Sequence, residues 1–222
     1  MKIDRRISGA HQIYEHLRTD IINLTLKPGS VISKKETAFA FGTSQTPVRD
    51  ALLRLEAEGL VDIVPQSKTT VSLIDIQHAR EVHFLRQSVE IEVVRTLCSI
   101  GKGQKLEKLE AWVERQKIEM KAGDLCTFRL ADNNFHTEMF RMAGVEGLMV
   151  LIDSRRGHYD RIRELFLRKL DRRQPVIEEH CAIIKAIRSG KLEKVEEVVR
   201  IHLGKSLAII DEIKDSEPDY FI

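Results

Sequence analysis

The chain has 222 residues, 42% of them apolar and 32% charged, and a net charge of +2, the composition of a soluble globular protein long enough for two domains. No apolar run approaches the ~20 residues of a membrane span, and the first residues do not lead into a signal-peptide core. Cys98, Cys126 and Cys181 are far apart with no C-x-x-C, so they read as reduced thiols and a cytoplasmic protein is expected. Bulk charge does not announce a nucleic-acid binder; phosphate contact has to come from local clustering. The small excess falls in residues 1–74, with ten Lys and Arg against eight Asp and Glu.

Residues 10–24 predict a helix with Ile13, Leu17, Ile21 and Leu24 on one face. Lys27-Pro28-Gly29 is a turn. Residues 33–60 read as two short helices joined at Gly42-Thr43. Ser44 is the expected N-cap of the second, Pro47 suits its first turn, and Val48, Leu52 and Leu55 give it a buried face. Gln45, Thr46 and Arg49 project from its N-terminal end. This is a helix-turn-helix with its recognition helix at 45–58, closed by Gly59 in the left-handed position. Two β-branched segments, 60–64 and 69–73, flank Pro65-Gln66-Ser67-Lys68 and predict a hairpin, a wing.

Asp75 is a plausible N-cap for a helix to about Ile100, with Val82, Leu85, Val89, Val93 and Leu97 as its stripe. Gly101-Lys102-Gly103 ends it. Further helices are expected at 104–121, 124–143, 146–169, 173–189 and 191–214, making an all-α bundle over residues 75–222. The tail from Ser216 is expected to fray. The run Arg155-Arg156, Arg161, Arg163, Arg168-Lys169, Arg172-Arg173 is interleaved with Asp153, Asp160, Glu164 and Asp171, which favours a solvated helix face.

Leu17-Arg18-x-x-Ile21, Leu26-x-Pro28-Gly29 and Ser44-x-Thr46-Pro47-Val48-Arg49-x-Ala51-Leu52-x-Arg54-Leu55-x-x-Glu58-Gly59-Leu60-Val61 together resemble the winged-helix domain of the GntR family of bacterial transcription regulators. The resemblance covers about residues 10–73. The family usually has Gly at the wing tip where this chain has Lys68, and often Arg where it has Gln45, so operator preference does not carry over.

Within the expected bundle, polar residues interrupt apolar stripes. Asp132 and His136 share a face with Phe128, Phe135 and Met139. His180 lies among Ile177, Cys181, Ile184 and Ile187; His202 lies among Val195, Val199, Ser206 and Ile209. A lone Asp-x-x-x-His pair is usually a hydrogen bond or a solvated edge. Three such interruptions on three helices can satisfy one another around a divalent metal, and their donors suit Zn, Ni, Mn or Fe better than Ca or Mg. His158 near Leu151, Ile162 and Leu165 has no ligand role, Cys181 and Trp112 read as packing residues, and Asn133 and Asn134 diverge too far for a choice between them.

Asp132-x-x-Phe135-His136, His180 before Ile183, Gly190 and His202 are similar to the C-terminal sensing domain of the FadR subfamily, often called FCD. The resemblance implies that Asp132, His136, His180 and His202 are metal ligands. It also places an Arg where this chain has Arg86, which either pairs with Glu90 on the surface or meets a carboxylate effector. The expectation is a mostly α chain of two domains, a winged helix over 1–74 and an effector-binding, metal-binding and dimerising bundle over 75–222. It would act as a ligand-responsive DNA-binding regulator and not an enzyme, since no further carboxylate is placed as a general base. Lys35, Ser44, Gln45, Thr46, Arg49 and Lys68 are the expected DNA contacts, made by a homodimer on an inverted repeat of double-stranded DNA. A small organic acid is the expected effector. A metal-dependent enzyme fused to a DNA-binding module and a purely structural metal remain the alternatives.

Overall fold

The protein is described by a computed structural model over residues 8–100 and 106–222. The expected break at Gly101-Lys102-Gly103 and the helix start at 104 lie outside the described residues. In chain order the elements are α1 (Gly9–Ile22), α2 (Lys34–Ala40), α3 (Gln45–Ala57), β1 (Val61–Ile63), β2 (Thr69–Val71), α4 (Ile76–Ile100), α5 (Glu107–Ala122) and α6 (Leu125–Met142). There follow α7 (Glu146–Asp153), α8 (Gly157–Arg168), α9 (Arg173–Ser189), α10 (Leu192–Ala208) and α11 (Ile210–Ser216), with 3₁₀ turns at Leu170–Arg172 and Pro218–Tyr220. Among the described residues no helix is long and apolar enough to cross a membrane.

The chain packs into two compact units. One takes the chain up to Ala79 together with Ser154–Glu164 and Asp211–Ile222; the other takes Arg80–Asp153 and Leu165–Ile210. The unit holding the winged helix therefore includes two segments beyond the expected 1–74.

In that winged unit, Ile13, Leu17 and Ile21 of α1 bury against Val48, Ala51, Leu52 and Leu55 of α3, joined by Leu60, Val61 and Val71 of the hairpin. The spacing of these residues at helical and strand periods gives each element one apolar face, and their burial is what holds the unit together. Ser33 caps α2 by accepting from the Glu36 amide at 3.2 Å. Ser44 sits in the extended N-cap conformation but makes no side-chain capping bond, contrary to expectation; it is exposed, which leaves the first turn of α3 open to solvent. α1 ends at Ile22, and Leu24 follows it in the left-handed region (φ 58°) while remaining buried. Gly59 closes α3 at φ 72°, where a side chain would be strained. Val61 faces Val71 and Ile63 faces Thr69 across the hairpin. The left-handed residue of the wing tip is Gln66 (φ 57°), not Lys68.

Three further expectations give way to tertiary packing. The helix expected over 146–169 breaks at 154–156, because Gly157 packs so closely on Leu60 that a Cβ there would fall 2.5 Å from Leu60 Cδ2. The basic run is a solvated face only in part: Arg155, Arg168 and Lys169 are exposed, whereas Arg156, Arg161, Arg163, Asp160 and Glu164 are buried. The tail is not frayed: the Ile74 amide donates to Tyr220 O at 2.7 Å, the Ile222 amide donates to Ile74 O at 3.2 Å, and Phe221 is buried.

The second unit is helical. α5 lies against α6 and α9, and α9 against α10. α4 is rotated from its expected stripe. Leu85 is exposed and Val89 half-buried, while Val82, Arg86, Glu90, Val93, Val94 and Leu97 face inward. The helix expected over 191–214 is interrupted at Ile209. Cys98 is buried, Trp112 is half-buried, and Cys181 is exposed instead of packed in the core.

His158 makes the winged unit acid-sensitive. Its Nδ1 accepts from the Asp75 amide and from Arg161, both at 2.9 Å. Burial, then Arg161 and His78, lower its pKa from 6.5 to about 3. A depressed histidine contributes stability above pH 6.5 that is lost as pH falls toward 3. Urea denaturation at pH 7 and pH 5 should show this site losing about 2 kcal/mol over that interval, a loss absent in His158→Gln; parallel behaviour of the two proteins would contradict the assignment.

Candidate metal centre and nucleic-acid interface

Asp132 and His136 stand one turn apart on α6, capped at its start by Asp124 accepting from the Thr127 amide at 3.0 Å. His180 comes from α9 and His202 from α10. All four are buried, and one ligand atom from each lies within 4.8 Å of the others. His180 Nε2 is 3.1 Å from His202 Nε2, and His202 Nε2 is 3.2 Å from His136 Nε2. Asp132 Oδ1 is 3.7 Å from His180 Nε2.

The opposite nitrogen of each ring explains this convergence. His136 Nδ1 donates to Glu90 Oε2 at 2.7 Å, His180 Nδ1 to Gln116 Oε1 at 2.7 Å, and His202 Nδ1 to Glu179 Oε2 at 2.8 Å. Carboxylate and amide oxygens only accept, so each Nδ1 carries a proton and, in the neutral imidazole, each Nε2 presents a lone pair. Gln116, fully buried on α5, also donates from Nε2 to Asp132 Oδ1 at 3.4 Å. Phe135 stacks on His180 with ring centroids 4.0 Å apart. Burial foremost lowers the His136 pKa from 6.5 to about 4, against the opposing pull of Glu90, so its imidazole is neutral at pH 7.

Three Nε2 lone pairs facing one another in a dry interior repel unless a cation sits among them. Metal–imidazole bonds of ~2.1 Å separate neighbouring nitrogens by ~3.0 Å in octahedral and ~3.4 Å in tetrahedral coordination. The observed 3.1 and 3.2 Å fall between the two. The donor set therefore fits a divalent ion, with Asp132 supplying negative charge and His136, His180 and His202 the nitrogens.

Arg86 is buried with Glu90, its Nε donating to Glu90 Oε1 at 2.6 Å. The expected i,i+4 pairing is present, but in the interior and not on the surface. Glu90 thus holds Arg86 with one oxygen and His136 with the other. Burial opposes its ionisation, but Arg86 and His136 hold its carboxyl far below the usual range. On the far side, Glu179 takes His202 and also pairs with Lys205. The sequence offers Glu90 only as a surface partner of Arg86 and does not single out Gln116 or Glu179. The detectable signals were Arg86-x-x-x-Glu90 and Glu179 beside His180; Gln116 had none.

In the winged unit, Lys35, Ser44, Gln45, Thr46, Arg49 and Lys68 are all exposed. Lys34 and Lys68 line one groove of about 350 Å³ together with Ser33 and Ser67. An exposed helix N-terminus beside a wing with a cationic tip is the apparatus of a DNA-binding regulator.

Residues 10–71 match the family described as bacterial regulatory proteins, gntR family, and residues 81–205 match the FCD domain. The chain belongs to the GntR family of transcription regulators, with an FCD ligand-sensing domain following its helix-turn-helix; it is not an enzyme. It is 28% identical over 210 residues to the HTH-type transcriptional repressor RspR of Escherichia coli K12, covering 95% of this chain and 92% of that protein. A regulator in an unstable DNA locus of Streptomyces ambofaciens is 30% identical over 214 residues, 96% of this chain and 90% of that one. Among solved structures, E. coli McbR/YncC superposes with a TM-score of 0.78 at 20% identity over 93% of this chain and 98% of that chain. A GntR regulator of Rhodococcus sp. RHA1 gives 0.78 at 18% over 92% and 99%.

Gln116→Leu keeps the volume and removes the bridge between His180 and Asp132. Calorimetric titration with Zn²⁺ should show affinity falling about 10- to 100-fold with helicity retained; wild-type affinity would contradict the positioning role of Gln116.

Proposed function

We propose that the chain represses or activates transcription in response to a small organic acid sensed at a divalent metal held by Asp132, His136, His180 and His202. The observation that carries this reading is the convergence of three imidazole Nε2 atoms, each backed at Nδ1 by an acceptor. Imidazole and carboxylate donors favour zinc, with nickel, manganese and iron as competitors. When bound, the ion supplies positive charge and open positions for carboxylate oxygens. Arg86 is the second anchor: an effector carboxylate exchanging with Glu90 for its guanidinium would disturb the acceptor that orients His136. The protein would act in the cytoplasm as a homodimer, because one winged domain buries too little surface for tight binding to an inverted-repeat operator.

At the DNA, Ser44, Thr46, Lys35 and Lys68 contact phosphates, Gln45 reads a base edge with adenine its best partner, and Arg49 takes a guanine or a phosphate. Against DNA selected by the wild-type protein from a random pool, Arg49→Ala should bind about 10- to 100-fold more weakly with its oligomeric state intact; unchanged binding would remove α3 as the recognition helix.

In a thermal-shift screen of organic acids, a true effector should raise the melting temperature only when metal is present. His180→Ala should abolish that response. If it lowers stability and keeps the response, the metal is structural and the effector binds elsewhere.

A further inference from the structure

Residues 154–164 lie inside the stretch that by sequence belongs to the sensing domain, yet they pack as part of the winged unit. We propose that this segment is a working part of the DNA-binding apparatus, with Arg161 the positioning residue that holds the C-terminal end of recognition helix α3 to the base of the wing.

The contacts form a closed circuit. Arg161 is fully buried. One terminal nitrogen donates to Ser72 O at 2.6 Å; the other donates to Ser72 Oγ at 3.2 Å and to His158 Nδ1 at 2.9 Å, and lies 3.5 Å from Leu73 O. Ser72 Oγ in turn donates to Gly59 O at 2.6 Å. The Ser72 amide donates to Leu60 O at 3.1 Å. His158 rests against Gly59, and Gly157 against Leu60. The guanidinium thus grips the strand leaving the wing, and through one hydroxyl it grips the left-handed glycine that terminates α3.

A second tie starts from the same segment. Asp160 pairs with Arg156 at 3.1 Å, and its charge also acts on Arg18 of α1. Arg18 in turn holds Glu58, the last residue before Gly59, at 2.8 Å, and Tyr14 donates to the same carboxylate. Both ends of the circuit therefore meet at Glu58-Gly59.

Stability alone does not account for Arg161. Its hydrogen-bond partners are carbonyls, a hydroxyl and an imidazole, the opposing charge of Asp62 is outweighed by burial, and burying a cation in such surroundings costs more than packing an apolar side chain of similar size. What a guanidinium supplies is a planar fork that fixes the positions of several acceptors at once, which a lysine ammonium does not. The same helix continues past Glu164 into the second unit.

The test separates positioning from stability. Arg161→Met keeps the length and apolar bulk and removes the fork. Its melting temperature should stay near or above wild type. Its affinity for DNA selected by the wild-type protein should fall about tenfold or more, and hydrogen exchange at Gly59, Leu60 and Ser72 should accelerate. Arg161→Lys should not restore binding. Should Arg161→Met fail to fold, Ser72→Ala removes only the hydroxyl that joins Arg161 to Gly59, and should weaken DNA binding and expose the Gly59 segment in the same direction. Wild-type DNA affinity and wild-type protection at Gly59 in the folded variant would overturn the proposal, as would a loss of stability with no change in affinity per folded molecule.

Discussion

Everything in the sensing unit follows from how three imidazoles are turned. A histidine buried on an apolar face can aim either nitrogen inward, and its choice is set by what waits behind it. Here Glu90, Gln116 and Glu179 wait behind, each on a different helix, and each accepts the Nδ1 proton. The three lone pairs are left to converge, with Asp132 beside them. Exchange an acceptor for an apolar group and a ring is free to flip. The site is built from the outside in, and α4, α5, α9 and α10 owe part of their relative placement to these bonds.

Glu90 shows how such an arrangement joins binding to conformation. It is the only acceptor of the three that is itself held by a buried guanidinium, Arg86. Glu179 has a counterpart in Lys205, which is more exposed. Whatever competes for Arg86 also acts on the orientation of His136 through a single carboxylate. In the winged unit, Ser72 has the same economy: one hydroxyl accepts from Arg161 and donates to Gly59. Both are small groups that tie two separate elements together.

The winged helix was legible in the sequence because its signals are local. Gly42, Gly59 and the Pro47 turn sit where the backbone demands them, and the stripe Val48, Leu52, Leu55 matches the buried face of α3. The four candidate ligands were legible for a different reason, as polar residues interrupting apolar stripes. The outer acceptors were not. Apolar spacing alone expects Leu85 and Val89 inward on α4, whereas the helix turns Arg86 and Glu90 inward, where Glu90 meets His136. The break before Gly157, the burial of Arg156, Arg161 and Arg163, and the docking of Phe221 are likewise decisions of partners far along the chain. Alternating charge looks the same on a solvated helix and in a buried network, and only the packing of residues 154–164 on the winged unit distinguishes them.

X-ray absorption at the zinc edge, on protein loaded with one equivalent of zinc, tests whether the convergent imidazoles hold a metal ion. The expected result is a first shell of nitrogen and oxygen at ~2.0–2.2 Å, with outer scattering from three imidazole rings. A sulfur shell at ~2.3 Å, or scattering from fewer than three rings, would contradict it.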